Sequence, residues 1–241
     1  RPLEGLQREI QACIDILSQM NLEAHKLQVF SYLLAVAKLR GVDVAELCMD
    51  FEAMLKIASE TSNLTNRGHT FFAQLELLVI FQEWERAAVL LVEADNLRVT
   101  IPACFVVVRF TALEALVSFK AAQSSPFLAK MKWKRRGLKS MKLLRSWVKK
   151  GNGNAVHLLY IVSAQLAVLE GKWKKAEDGF KSAAKVAARN GLLQDKALAH
   201  ELAGAHFTAQ GDTFWADHHK ESSQQAYSDW GATSKVVEKI E

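Results

Sequence analysis

Apolar residues recur along this chain at helical spacing, and short polar or glycine-containing breaks separate the runs. Leu3, Leu6, Ile10, Cys13, Ile14 and Leu17 share one stripe, which predicts a first helix from Leu3 to Met20 that ends at Asn21. A second is predicted from Glu23 to Leu39 on Phe30, Leu33, Leu34 and Val36, with Gly41 where a left-handed residue commonly closes a helix. Asp43 is placed to cap a third, running to about Thr61. Asn63 to Arg67 reads as a loop, followed by helices over His69 to Phe81 and Glu83 to Ala94.

After a loop at Asn96 to Thr100, Pro102 suits a first helical turn, where its missing amide hydrogen costs nothing, and the helix runs to about Ala122. Ser124-Ser125-Pro126 closes it, and a basic helix from about Phe127 to Lys150 follows. Gly151-Asn152-Gly153-Asn154 turns the chain into a helix ending near Glu170. Helices over Lys172 to Arg189, Leu192 to Gln210, Asp212 to Ser228 and Thr233 to Glu241 complete the reading. With no interior linker long or polar enough to part domains, residues 1–241 read as a single helical-repeat domain.

The helices repeat one another. Trp173-Lys174-Lys175-Ala176 opens a helix that continues through Phe180 and Ala183, and Trp84-Glu85-Arg86-Ala87 opens another that continues through Leu91 and Ala94. Gly211 precedes Ala216 as Gly171 precedes Ala176, which sets a repeat of forty residues. Small residues at matched places let helix backbones approach, so Gly204 is expected against Ala216 and Ala164 against Ala176, with Phe180 and Phe207 filling adjacent gaps and Ala87 in the corresponding earlier frame. The predicted fold is an all-α solenoid of about five stacked antiparallel hairpins, tetratricopeptide-like but longer per repeat and without the closing proline. The first helix is expected to be the second half of a hairpin that begins outside this chain, and the last to cap the array.

Ala197-Leu198-Ala199-His200-Glu201-Leu202-Ala203-Gly204, Gly211 and the stretch Ala226-Tyr227-Ser228-Asp229-Trp230-Gly231-Ala232-Thr233-Ser234-Lys235-Val236 carry a resemblance. The chain resembles the helical-repeat region of large multidomain signalling ATPases, most specifically over residues 155–237. In that family an AAA-type or kinase-like part precedes the repeats, and sensor, histidine-kinase or cyclase domains often follow. The resemblance implies a non-catalytic regulatory scaffold within a larger signalling protein. It carries over no catalytic residue. The start at Arg1, without an initiator methionine, fits the expectation of a fragment.

Composition changes this picture little. Half of the 241 residues are hydrophobic, enough to bury a substantial core, and no apolar run approaches membrane-spanning length. Three cysteines, Cys13, Cys48 and Cys104, lie far apart in apolar helical patterns, so buried reduced thiols and a cytoplasmic setting are expected. Asn63-Leu64-Thr65 fits the glycosylation triplet, which carries no weight without other signs of secretion.

Charge changes it more. No aspartate or glutamate occurs from Ala115 through Leu169, while eleven lysines and arginines do. On the basic helix Leu128, Met131, Leu138, Met141, Leu144 and Val148 are expected to form the buried stripe. That would leave Lys132, Arg135, Arg136, Lys139, Lys142 and Arg145 as an outward ridge for an acidic partner, either a protein or another domain of the same polypeptide. Nucleic acid is the alternative, with Trp133 and Trp147 among the cations. Membrane association is set aside on the expectation that the helix spends its apolar residues on packing.

Candidate chemistry is sparse. Gly151-Asn152-Gly153-Asn154 lacks the lysine and hydroxyl residue of a phosphate-binding loop. His200-Glu201 opens like a zinc-protease helix, but the second histidine's place is Gly204. Asp217, His218, His219 and Glu221 read as a solvated helix face, since adjacent side chains diverge by about 100°. No catalytic residue, metal site or cofactor is expected, and an unrecognised enzyme domain stands as the second alternative.

Overall fold

A computed structural model describes residues 2–42, 49–94, 96–101 and 105–237, and among these every regular element is helical. Packing groups the chain into two compact units, one of residues 1–107 with 231–241 and one of residues 108–230.

In the first unit α1 (Leu3–Gln19) and α2 (Glu23–Arg40) form a hairpin, so α1 finds its partner within the chain. Leu3 and Ile14 of its stripe are buried, and Cys13 is an exposed free thiol, contrary to expectation. A single neighbouring helix covers only part of an amphipathic stripe, which leaves the Cys13 flank in solvent. Cys48 and Cys104 lie outside the described residues, as do Asp43 and Pro102. Asp50 instead caps α3 (Phe51–Glu60), accepting from the Ala53 amide at 2.8 Å.

The loop expected at Asn63 to Arg67 is helical. Asn63 caps α4 (Leu64–Ile80) by accepting from the Asn66 amide, which brings Asn66 into position to donate to the Ala24 carbonyl at 2.7 Å. Helix α4 is buried through Phe71, Phe72, Leu75, Leu78 and Val79, and it packs on α2, α3 and α5 (Trp84–Glu93). A short α6 (Leu97–Thr100) replaces the expected loop. Gly68 makes room for it, because a Cβ there would lie 2.6 Å from Thr100 Oγ1.

The second unit takes α7 (Phe105–Ser124) from Val108 onward, then α8 (Phe127–Lys149), α9 (Val156–Leu169), α10 (Trp173–Arg189), α11 (Leu193–Ala209) and α12 (Thr213–Trp230). From α9 to α12 each helix packs on the next. The last helix, α13 (Thr233–Val237), packs on α2 in the first unit, where the Thr233 hydroxyl donates to the Arg40 carbonyl. The expected C-terminal cap is therefore a contact with the chain's second helix, and residues 238–241 lie outside the described residues.

One turn geometry joins these helices. Asn21, Gly41, Ser62, Gln82, Gly151, Gly171, Gly191, Gly211 and Gly231 all have positive φ. At Gly171 the amide donates to Val168 O and the next amide, Lys172, reaches back to Ala167 O at 2.8 Å. The same paired bonds recur at Gly191, Gly211, Gln82 and Ser62, closing each helix with a left-handed residue that satisfies its last carbonyls. Glycines at 151, 171, 191, 211 and 231 thus mark a constant interval of one helix and one turn, half the repeat noted above.

Candidate docking surface

Helix α8 starts after Pro126, whose carbonyl accepts from the Lys130 amide at 2.8 Å, and stops at the Gly151 turn. Its buried face consists of Gly137, Ser140, Met141 and Leu144. Gly137 is there for proximity to α7, since a Cβ would lie 2.5 Å from the fully buried ring of Phe119. The Glu114 carboxylate, also on α7, is buried in the same seam and receives bonds from Arg136 Nε at 2.9 Å and from the Ser140 hydroxyl.

The expected stripe is corrected accordingly. Leu128, Met131 and Leu138 are 76%, 53% and 37% exposed, while Met141 and Leu144 are buried and Val148 partly so. Hydrophobicity ranks Leu138 above Gly137 and Ser140, but close approach to α7 selects the small residues. At about 100° per residue, Leu128 then points away from the buried face. Phe127, 75% exposed, extends this uncovered apolar end.

Among the cations Lys132, Arg135, Lys139, Lys142 and Arg145 are exposed. Arg136 is not on the outer ridge: it is partly buried, paired with Glu114, and its guanidinium lies 5.8 Å from the Trp133 ring centroid. That contact occupies the side chain that would stack on a base. Lys134 joins Lys172 on Glu170 at 2.9 and 2.7 Å. The bond from Lys172, then that from Lys134, holds the Glu170 carboxyl down to about 2.

Ala87, Ala164, Ala176, Phe180, Gly204, Phe207 and Ala216 are all buried. A Cβ on Gly204 would stand 3.4 Å from Ala216 O, whereas Ala164 faces Gly179, where a Cβ would meet the Ala164 Cβ at 2.8 Å. Gly179 is about one turn from Ala176, so the α9–α10 approach is centred one turn from the expected place.

The pattern of apolar residues missed a polar cluster in the core of the second unit. Asp195 on α11 accepts from Arg109 Nη1 at 2.6 Å and lies 2.9 Å from His157 Nε2, all three buried. Burial raises the Asp195 carboxyl, but the Arg109 charge and His157 outweigh it and hold the group below its ordinary value. Nearby Tyr227 donates to Glu201 at 2.9 Å, and burial together with that carboxylate pushes its hydroxyl up. His157 Nδ1 is buried without a hydrogen-bond partner. The signal was available: Arg109 and Glu114 interrupt an otherwise apolar run on α7, and ionisable groups in a helix buried on all sides require partners. A His–Asp pair suits proton transfer, but this one is buried among packed side chains.

At the α11–α12 contact His200 Nδ1 and His219 Nδ1 are 2.9 Å apart, and the His219 ring stacks on Phe207. Burial, then the charge His219 would carry, lowers His200 to about 4. Neutral rings share one proton in this contact. The exposed His218 ring packs edge-on against Trp215, and among the described residues no group of three or more histidines, cysteines and acids is placed to hold a metal ion. In the first unit a cleft of about 680 Å³ is bordered by Lys38, Gln74, Glu83 and Arg86, but Glu83 and Arg86 pair with each other.

None of the described helices is long and apolar enough to cross a membrane. Comparison with protein-family models, with curated proteins and with solved structures finds no match to this chain.

Proposed function

We propose that the chain is a non-catalytic docking module, a tetratricopeptide-like stack of helical hairpins that offers the outer face of α8 to an acidic surface. The observation that carries this reading is the exposure of Lys132, Arg135, Lys139, Lys142 and Arg145 on a helix that contains no carboxylate. Facing water, such a row produces a local positive potential that speeds and orients encounter with an anionic partner. The close approach at Gly137 seats the opposite side of α8 directly on the Phe119 ring of α7. The sequence resemblance adds the setting: a regulatory segment of a larger cytoplasmic signalling protein, with any catalysis located in other domains.

The test uses a labelled poly-glutamate peptide and the full chain. Reversing Lys132, Arg135 and Lys139 to glutamate is expected to weaken binding at least about tenfold at low salt, with the helical circular-dichroism signal retained. Arg136 stays unchanged because it neutralises Glu114. Equal binding by wild type and the reversed variant overturns the proposal.

A further inference from the structure

We infer that the acidic surface met by α8 is an anionic lipid bilayer, entered by Phe127, Leu128 and Met131 at the N-terminal end of the helix. This rests on the docking reading above and names the partner of the same face. A membrane partner is disfavoured only if the apolar residues of α8 are buried. Leu128 and Met131, at 76% and 53% exposure, are not.

Two independent features converge on this end of α8. One is an apolar cluster: Phe127 and Leu128 begin the helix and Met131 follows one turn later, all strongly exposed. The other is charge, since Lys132, Arg135 and Lys139 adjoin that cluster on the outward side. A helix with apolar side chains at one exposed flank and lysines beside them lies in the headgroup region, its apolar groups among the acyl chains and its ammonium heads reaching to lipid phosphates and carboxylates. Anionic lipid supplies a long-range attraction, and insertion supplies a short-range grip.

The same details weigh against other acidic partners. Protein interfaces seat their apolar anchors in pockets at a core depleted of lysine, whereas here the apolar groups protrude from a helix end with Lys132 beside them. Nucleic acid would satisfy the cations but leave Leu128 and Met131 in water, and Trp133 lies against Arg136.

Co-sedimentation of the full chain with vesicles tests this. Vesicles of phosphatidylcholine containing about one third phosphatidylserine are expected to bind at least about tenfold more tightly than phosphatidylcholine alone. Phe127→Ser with Leu128→Ser, and separately the Lys132, Arg135 and Lys139 reversal, are each expected to reduce that binding about tenfold with circular dichroism unchanged. Two solvent-exposed side chains can be replaced without opening a cavity, so the serine variant remains folded. Binding that survives the serine substitutions means adhesion by charge alone and overturns the insertion. Capture of poly-glutamate without vesicle binding leaves the docking reading standing and assigns the face to an acidic protein. Tighter binding of a short oligonucleotide than of vesicles also overturns the lipid assignment. Failure with poly-glutamate, vesicles and oligonucleotide alike removes both.

Discussion

Gln82 occupies a backbone conformation that the other half of the molecule reserves for glycine. Its φ of 58° matches those of Gly171 at 69° and Gly191 at 67°, in the same turn with the same back-bonded amides. A side chain in that region costs about 1–2 kcal/mol, of which glycine's greater entropy in the unfolded chain returns part. Gln82→Gly is therefore expected to stabilise the protein by about 0.5–1 kcal/mol. The reverse change at an open site, Gly191→Ala, where no atom stands within 4 Å of the added Cβ, should destabilise by about 1 kcal/mol through φ alone. Urea denaturation of both variants decides it, and shifts of the same sign would remove the account. At this scale the sequence was easy to read where glycine marked the turn, as at Gly41 and Gly171. The apolar pattern also breaks at Ser62 and Gln82, but nothing in it marks their left-handed conformation, because neither residue type favours positive φ.

Between elements, α11 and α12 meet through His200 and His219. Burial, reinforced by His219, Lys196 and His218, takes His200 from 6.5 to about 4. Between those values the unfolded chain binds more protons than the folded one, so stability is full above about pH 6.5 and is lost as pH falls toward 4. Partial exposure reduces the effect to about 2 kcal/mol between neutral pH and pH 4. His200→Gln, which keeps a polar group beside His219 without titrating in this range, should lower the difference between urea midpoints at pH 7 and pH 4.5. An unchanged difference would show that His200 does not govern the acid sensitivity. Helical periodicity placed both histidines on helices but not their contact, since nothing in the local pattern sets the rotation of one helix against another.

On the scale of the whole molecule, the second unit is held by polar as well as apolar burial. Asp195 serves two buried bases at once, Arg109 and His157, from three different helices. Asp195→Ala is expected to cost about 3–5 kcal/mol because it removes the buried carboxylate that accepts from Arg109 and pairs with His157. Adding Arg109→Met should recover part of that loss, since the positive charge that Asp195 neutralised is then removed with it. Equilibrium denaturation of the two single variants and the double closes the cycle, and simple additivity would refute the coupling. No long polar linker interrupts the sequence, yet contacts sort the chain into two units that divide after Val107 and Trp230. The α13 segment, read as an end cap, belongs with α2.

Local interactions account for what the sequence alone determined. The all-helical class and most helix limits rest on periodicity, caps and left-handed turns, which involve residues a few positions apart. Tertiary structure decided which side of α8 is buried, because Phe119 leaves space only for Gly137 and so turns Leu128 and Met131 outward. It also decided that Arg136 neutralises Glu114 while Lys132, Arg135 and Lys139 remain on the surface. A linear pattern counts cations on a helix equally. Only the packing of a second helix, with its own buried carboxylate, distinguishes one that is consumed inside from those available to a partner.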